Sequence, residues 1–137
     1  MTAKILVIDD RPEVGQLVAR ALEGYETSTE TDPRCAVRMF ADGERFDIVL
    51  CDLDMPEMTG REVCEAIRRE TFGEAAPAML MMSGDDNVAS LFATGYPVLL
   101  KPFTADELRA LVSAILHEDV QATSASSAHG AWLWGGR

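Results

Sequence analysis

The chain has 137 residues, with 23 acidic side chains against 12 basic ones and a formal net charge of −11. This length suits one compact domain, and 47% hydrophobic residues can furnish its core. An acid excess of this kind repels the phosphates of nucleic acids and of anionic lipid headgroups, so neither nucleic acid nor a membrane surface is an expected partner. No apolar run approaches bilayer-spanning length. The start, MTAKILVIDD, lacks a signal-peptide pattern, because its apolar run of four residues ends in two acids. Cys35, Cys51 and Cys64 have no metal-ligand or paired spacing and read as free thiols of a reducing, cytoplasmic compartment.

Short apolar runs alternate with amphipathic stretches along the chain, the pattern of an α/β protein with a parallel sheet. Ile5 to Ile8 reads as a strand buried on both faces. Pro12 to Glu23 reads as a helix with Val14, Leu17, Val18, Ala21 and Leu22 on one stripe, stopped by Gly24. Tyr25, Thr27 and Thr29 alternate as a more exposed second strand would. Asp32 and Pro33 predict an N-cap and first turn for a helix carrying Ala36, Val37 and Phe40 inward and ending near Gly43. Ile48 to Cys51 is the third predicted strand, and Gly60 to Arg69 the third helix, facing inward through Val63, Cys64 and Ile67. Met79 to Met82 predicts a fourth strand, Asp86 to Ala93 a short helix and Val98 to Leu100 a fifth strand. Thr104 and Glu107 form a capping box before Leu108, Leu111, Val112, Ile115 and Leu116. The expected architecture is (βα)5, a flavodoxin-like three-layer sandwich with strand order 2-1-3-4-5. It is expected to occupy residues 1–118, with 119–137 a disordered tail.

Open parallel sheets bind ligands beyond the carboxyl ends of their strands, where the strand order reverses. Asp9 and Asp10 end the first predicted strand, Asp52 the third, Ser83 the fourth and Lys101 the fifth. Taken singly, each reads as turn or cap chemistry. Taken together they do not, because unrelated turns have no reason to deliver acid, acid, hydroxyl and amine to successive strand ends. Clustered carboxylates raise one another's pKa unless a cation sits among them, and hard oxygen ligands suit Mg²⁺. With Lys101 and the Ser83 hydroxyl beside it, such a site can neutralise a phosphoryl group, and Asp52 is its natural nucleophile.

The segments VIDD, VLCDLDMPEMTG, MMSG and LLKPF, spread over residues 4 to 116, resemble the response-regulator receiver domains of two-component signalling. The resemblance implies Asp52 as phospho-acceptor, with Asp10 as a direct Mg²⁺ ligand and Asp9 as its partner through water. It also implies the backbone carbonyl of Asp54 as a further ligand, with Ser83 and Lys101 contacting the phosphoryl group. Mn²⁺ substitutes for Mg²⁺ in such a site. The implied partner is a histidine kinase or histidine phosphotransfer protein, and the implied role is signalling without multiple turnover. Such a domain is a monomer or a phosphorylation-dependent dimer. Three features depart from the family pattern. Val98 stands where an aromatic residue is usual, with Tyr96 two positions earlier. The 18 positions from Ser83 to Lys101 leave about one helical turn less than usual. Asp54 and Asp85 add acid at the rim.

The 21 residues after Leu116 are too few for a DNA-binding effector, so output through protein contacts is expected. The alternative is a receiver module of a hybrid histidine kinase or phosphorelay, which PVLLKPF resembles. DLDMP also resembles the DxD motif of haloacid-dehalogenase-like phosphatases, with Asp54 as general acid. That family needs an acidic pair after the lysine, and Asp106 and Glu107 are accounted for by the capping box. Trp132 and Trp134 read as part of a frayed terminus rather than a docking segment. His117 and His129 are too isolated to act as ligands, and Cys51 is expected to point into the core.

Overall fold

Branched and aliphatic runs too short for helices pair side by side in a computed structural model that describes residues 2–84, 95–117 and 132–134. In chain order these are β1 (Lys4–Ile8), α1 (Pro12–Ala21), β2 (Glu26–Glu30), α2 (Pro33–Ala41), β3 (Ile48–Asp52), α3 (Gly60–Glu70), β4 (Ala78–Ser83) and β5 (Pro97–Leu100). The helix α4 (Ala105–His117) and the strand β6 (Trp132–Trp134) follow. The sheet order is β2-β1-β3-β4-β5-β6. The first five strands are parallel, in the expected 2-1-3-4-5 order, and β6 joins β5 antiparallel.

Alternate residues of the central strands face opposite layers, as the period of two requires. Leu6, Ile8, Val49, Cys51 and Met81 pack with Phe40 of α2 and with Val63, Cys64 and Ile67 of α3. Ile5, Val7, Ile48, Leu50 and Leu80 pack on the other face with Val18 of α1 and with Leu108, Leu111 and Val112 of α4. The result is the predicted three-layer sandwich.

Local signals set the helix starts. The Asp32 carboxylate accepts the Arg34 N–H at 2.9 Å, and Thr104 and Glu107 exchange the two bonds of the predicted capping box. A second capping box links Thr59 and Glu62 at the head of α3. Its T-x-x-E spacing is a helix-start signal that the sequence carries.

Two expectations need correction. The helical stripe assigned to α1 included Leu17, yet that side chain is 61% exposed. Val18 and Leu22 are buried, and Gly15 and Val18 are the buried positions within the helix. A short helix on the sheet buries a narrower arc than the sequence stripe covers, and α1 ends at Ala21 rather than Glu23. The tail expectation fails at Trp132–Trp134, which form a sixth strand. An open sheet edge offers unpaired backbone donors and acceptors, and these outweigh the fraying of a terminus. The predicted Asp86–Ala93 helix, Asp85 and His129 lie outside the described residues.

Candidate functional site

Because β1 and β3 are adjacent and parallel, Ile8 lies opposite Cys51, and the residues that follow leave the sheet side by side. Asp9 and Asp52 are buried there, and Asp10 is half-buried. A carboxylate oxygen from each of the three lies within 4.8 Å of the others. On the neighbouring strands Asp52 pairs with Met82 and Ser83 with Leu100, so Ser83 and Lys101 reach the same edge. The Lys101 N–H donates to the Ser83 carbonyl at 2.7 Å, and the Lys101–Pro102 peptide is cis.

The Lys101 ammonium donates to Asp9 Oδ2 at 3.1 Å and to Asp52 Oδ1 at 3.2 Å. Residues far apart in the chain are thus joined across β3 and β4, the two strands that lie between β1 and β5. Asp9 also accepts the Arg11 N–H through Oδ1 at 2.9 Å. The same carboxylate therefore shapes the turn into α1 and faces the site. The turn reading and the site reading of Asp9 are both satisfied, while the N-cap of α1 is Arg11, which makes no side-chain cap bond.

Burial raises the Asp52 pKa, Lys101 opposes the rise, and Asp9 and Asp10 add to it. For Lys101 burial favours loss of the proton, but attraction to Asp52 and Asp9 outweighs it and the pKa rises. The lysine therefore stays charged between the two carboxylates. Burial also holds the Cys51 thiol well above its ordinary value. Its side chain is fully buried and donates to the Asp52 carbonyl at 3.4 Å, in agreement with a packing role.

The donor set fits a divalent cation. With all three carboxylates ionised the charge is −3, and Lys101 brings it to −3 + 1 = −2. The donors are all hard oxygens, and only part of an octahedral shell is supplied, which leaves room for water as Mg²⁺ prefers. Among the described residues no other group of His, Cys, Asp or Glu side chains is arranged to hold a metal ion. Asp54 is exposed at the rim, Val98 is buried, and Tyr96 lies under the Arg68 guanidinium at 5.7 Å.

Gly60 has a role that its place in the motif does not reveal. A Cβ on Gly60 would stand 2.7 Å from the Asp52 carbonyl oxygen and 3.0 Å from Leu53 Cα. The Gly60 N–H donates to the Leu53 carbonyl at 2.8 Å. The head of α3 thus lies directly against the backbone that carries Asp52. A glycine ending a polar turn signals freedom of φ from sequence, whereas here the need is for space.

An acidic cluster with a captive lysine, at the carboxyl edge of a 2-1-3-4-5 parallel sheet, is arranged so that it could hold a divalent cation. The sequence pattern of the response regulator receiver domain matches residues 5–113, and the chain belongs to that family. Phosphorylation and Mg²⁺ binding are typical of it. The chain is 36% identical over 117 residues to the transcriptional regulatory protein TcrA of Mycobacterium tuberculosis, covering 82% of this chain and 45% of that protein. It is 33% identical to the regulatory protein AtoC of Escherichia coli, covering 98% of this chain and 31% of that protein. Among solved structures, the chemotaxis response regulator CheY4 of Vibrio cholerae superimposes with a TM-score of 0.72 at 30% identity. That match covers 84% of this chain and 99% of CheY4.

The chain spans about half or less of the length of these curated relatives. The matches speak for the receiver alone, and the expectation that nucleic acid plays no part draws no support from relatives named as transcriptional regulators. No helix among the described residues is long and apolar enough to cross a membrane.

Proposed function

We propose that the chain is a phosphoryl-accepting signalling domain, in which Asp52 takes a phosphoryl group from a histidine kinase or histidine phosphotransfer protein. The observation that carries this reading is the Lys101 ammonium held between Asp9 and Asp52 beside a third carboxylate. A carboxylate oxygen of Asp52 forms the new O–P bond, and the P–N bond to the donor imidazole breaks with its electron pair returning to nitrogen. Lys101 turns from the Asp52 carboxylate toward the phosphoryl oxygens, with Asp9 keeping its ammonium in place. The Ser83 hydroxyl serves as a second donor to those oxygens. Asp9, Asp10 and Asp52, with the Asp54 carbonyl, would hold Mg²⁺ or Mn²⁺, which supplies positive charge against the transferring group.

Incubation with acetyl phosphate and Mg²⁺ is expected to add one acid-stable, base-labile phosphate per chain. Labelling that proceeds equally in excess chelator overturns the assignment. Because the folded chain alone assembles the three carboxylates, Mg²⁺ should also raise the thermal unfolding midpoint. The gain follows mass action, roughly 2.7 kcal/mol at a hundredfold excess over the dissociation constant. Asp10→Asn should shrink that gain, and a midpoint indifferent to Mg²⁺ would remove the cation from the mechanism.

Beside Lys101 lies an apolar groove of about 300 Å³, lined by Val14, Leu17, Ala21, Pro102 and Phe103. Its place next to the site and the exposure of Leu17 fit it for the phosphodonor protein. Leu17→Asp is therefore expected to slow transfer from a protein donor roughly tenfold, as a loss of about 1.4 kcal/mol would. Labelling by acetyl phosphate should be unaltered. Equal slowing with both donors would point instead to damage at the site.

A further inference from the structure

The two edges of the parallel sheet differ in how they are protected. The outer strand β2 reads ETSTE, with a glutamate at each end and a polar, partly exposed pattern. Charges on an edge strand discourage another strand from pairing there. At the opposite edge β5 reads PVLL and has no charged residue. Pro97, Val98 and Leu99 are buried, and only Pro97, which lacks an N–H, resists pairing. This apolar, uncharged edge is the one that β6 covers, with Pro97 opposite Trp134, Val98 opposite Leu133 and Leu99 opposite Trp132.

We propose that Trp132–Trp134 is an in-cis edge cover, which keeps β5 from pairing with the β5 of a second copy of this chain. Antiparallel pairing of a strand with its own copy is self-complementary about a two-fold axis, so an uncovered β5 edge meets its own best partner in another molecule. Lys101 follows β5 directly, which places this association next to the residue that bridges Asp9 and Asp52. The cover is light. A three-residue strand contributes a few backbone hydrogen bonds, each of modest net value, so it can exchange with a competing strand.

The test is sedimentation velocity across a concentration series, on the parent chain and on full-length Leu133→Pro and Trp132→Pro. Neighbouring N–H groups of β6 point to opposite sides, so one of these prolines removes a hydrogen bond to β5 and the other serves as its control. The parent should stay monomeric without phosphorylation, and the Val98 and Leu99 amides, one facing β4 and the other β6, should both exchange slowly with solvent. Both variants should unfold cooperatively, and the one that loses a hydrogen bond to β5 should dimerise as concentration rises and return to monomer when a peptide spanning residues 130–137 is added. Two variants that both stay monomeric, dimers that ignore the peptide, or fast exchange at one of the Val98 and Leu99 amides in the parent would overturn the proposal. If one variant fails to fold, the other and the parent's amide exchange still decide it.

Discussion

Asp52→Asn is expected to take up no phosphate from any donor and yet to unfold at a higher temperature than the parent. The first effect follows because an amide oxygen carries no full negative charge with which to form the O–P bond. The second follows from the environment of the carboxylate. Burial and the neighbouring Asp9 and Asp10 raise the Asp52 pKa more than Lys101 lowers it. The folded chain therefore holds the Asp52 proton more tightly than the unfolded chain does, for which the ordinary value is 3.8. The stability tied to that proton is fully present below pH 3.8 and is lost as pH rises through the higher folded value. At neutral pH the ionised group burdens the fold, and asparagine removes the burden while Lys101 keeps Asp9 as its partner.

The gain should be about 1 kcal/mol, the usual scale when a functional compromise is relieved. It should grow as pH rises from acid to neutral and shrink when Mg²⁺ offsets the repulsion in the parent. Thermal unfolding of both proteins across that pH range checks this. A variant less stable than the parent at neutral pH would show that the pairing of Asp52 with Lys101 outweighs the burial cost.

Gly60→Ala acts on the same carboxylate through the backbone. The added methyl would meet the Asp52 carbonyl at 2.7 Å and the Met81 sulfur at 3.0 Å. The Met81 side chain can give way, but the Asp52 backbone is held by its pairing with Met82, and the following Leu53 N–H donates to the Met82 carbonyl at 2.9 Å. α3 must therefore move off β3, straining the Gly60 to Leu53 hydrogen bond. Overpacking of this kind costs about 1–3 kcal/mol, and urea unfolding should show it as a lower midpoint with an unchanged slope. Phosphate uptake should slow as well, since Asp52 and the Asp54 carbonyl share that stretch of chain. Unaltered stability together with unaltered uptake would mean that the close approach has no consequence.

Much of this was legible in the chain itself. Runs such as ILVI and IVLC are too short and too branched for helices, and they alternate with helical stripes, so five βα units and a parallel sheet followed from period and length, while the strand order came from the resemblance. The acids, hydroxyl and lysine at the strand ends were legible because a parallel sheet sends all its carboxyl ends to one edge. Leu17 was misjudged because a helical stripe gives a direction but not the width of the surface it meets. Gly60 was passed over because a close approach between a helix head and a strand involves atoms that local sequence does not place together.

By itself the sequence determined the class of fold, the edge that carries the chemistry and the residues that meet there, since these depend on periodicity and on the direction of parallel strands. Only the tertiary structure decided that Lys101 is shared between Asp9 and Asp52, that Asp52 is buried enough to raise its pKa, and that Trp132–Trp134 closes the edge of β5. Each of these depends on distances and burial between residues remote in the chain, and local propensity does not encode them.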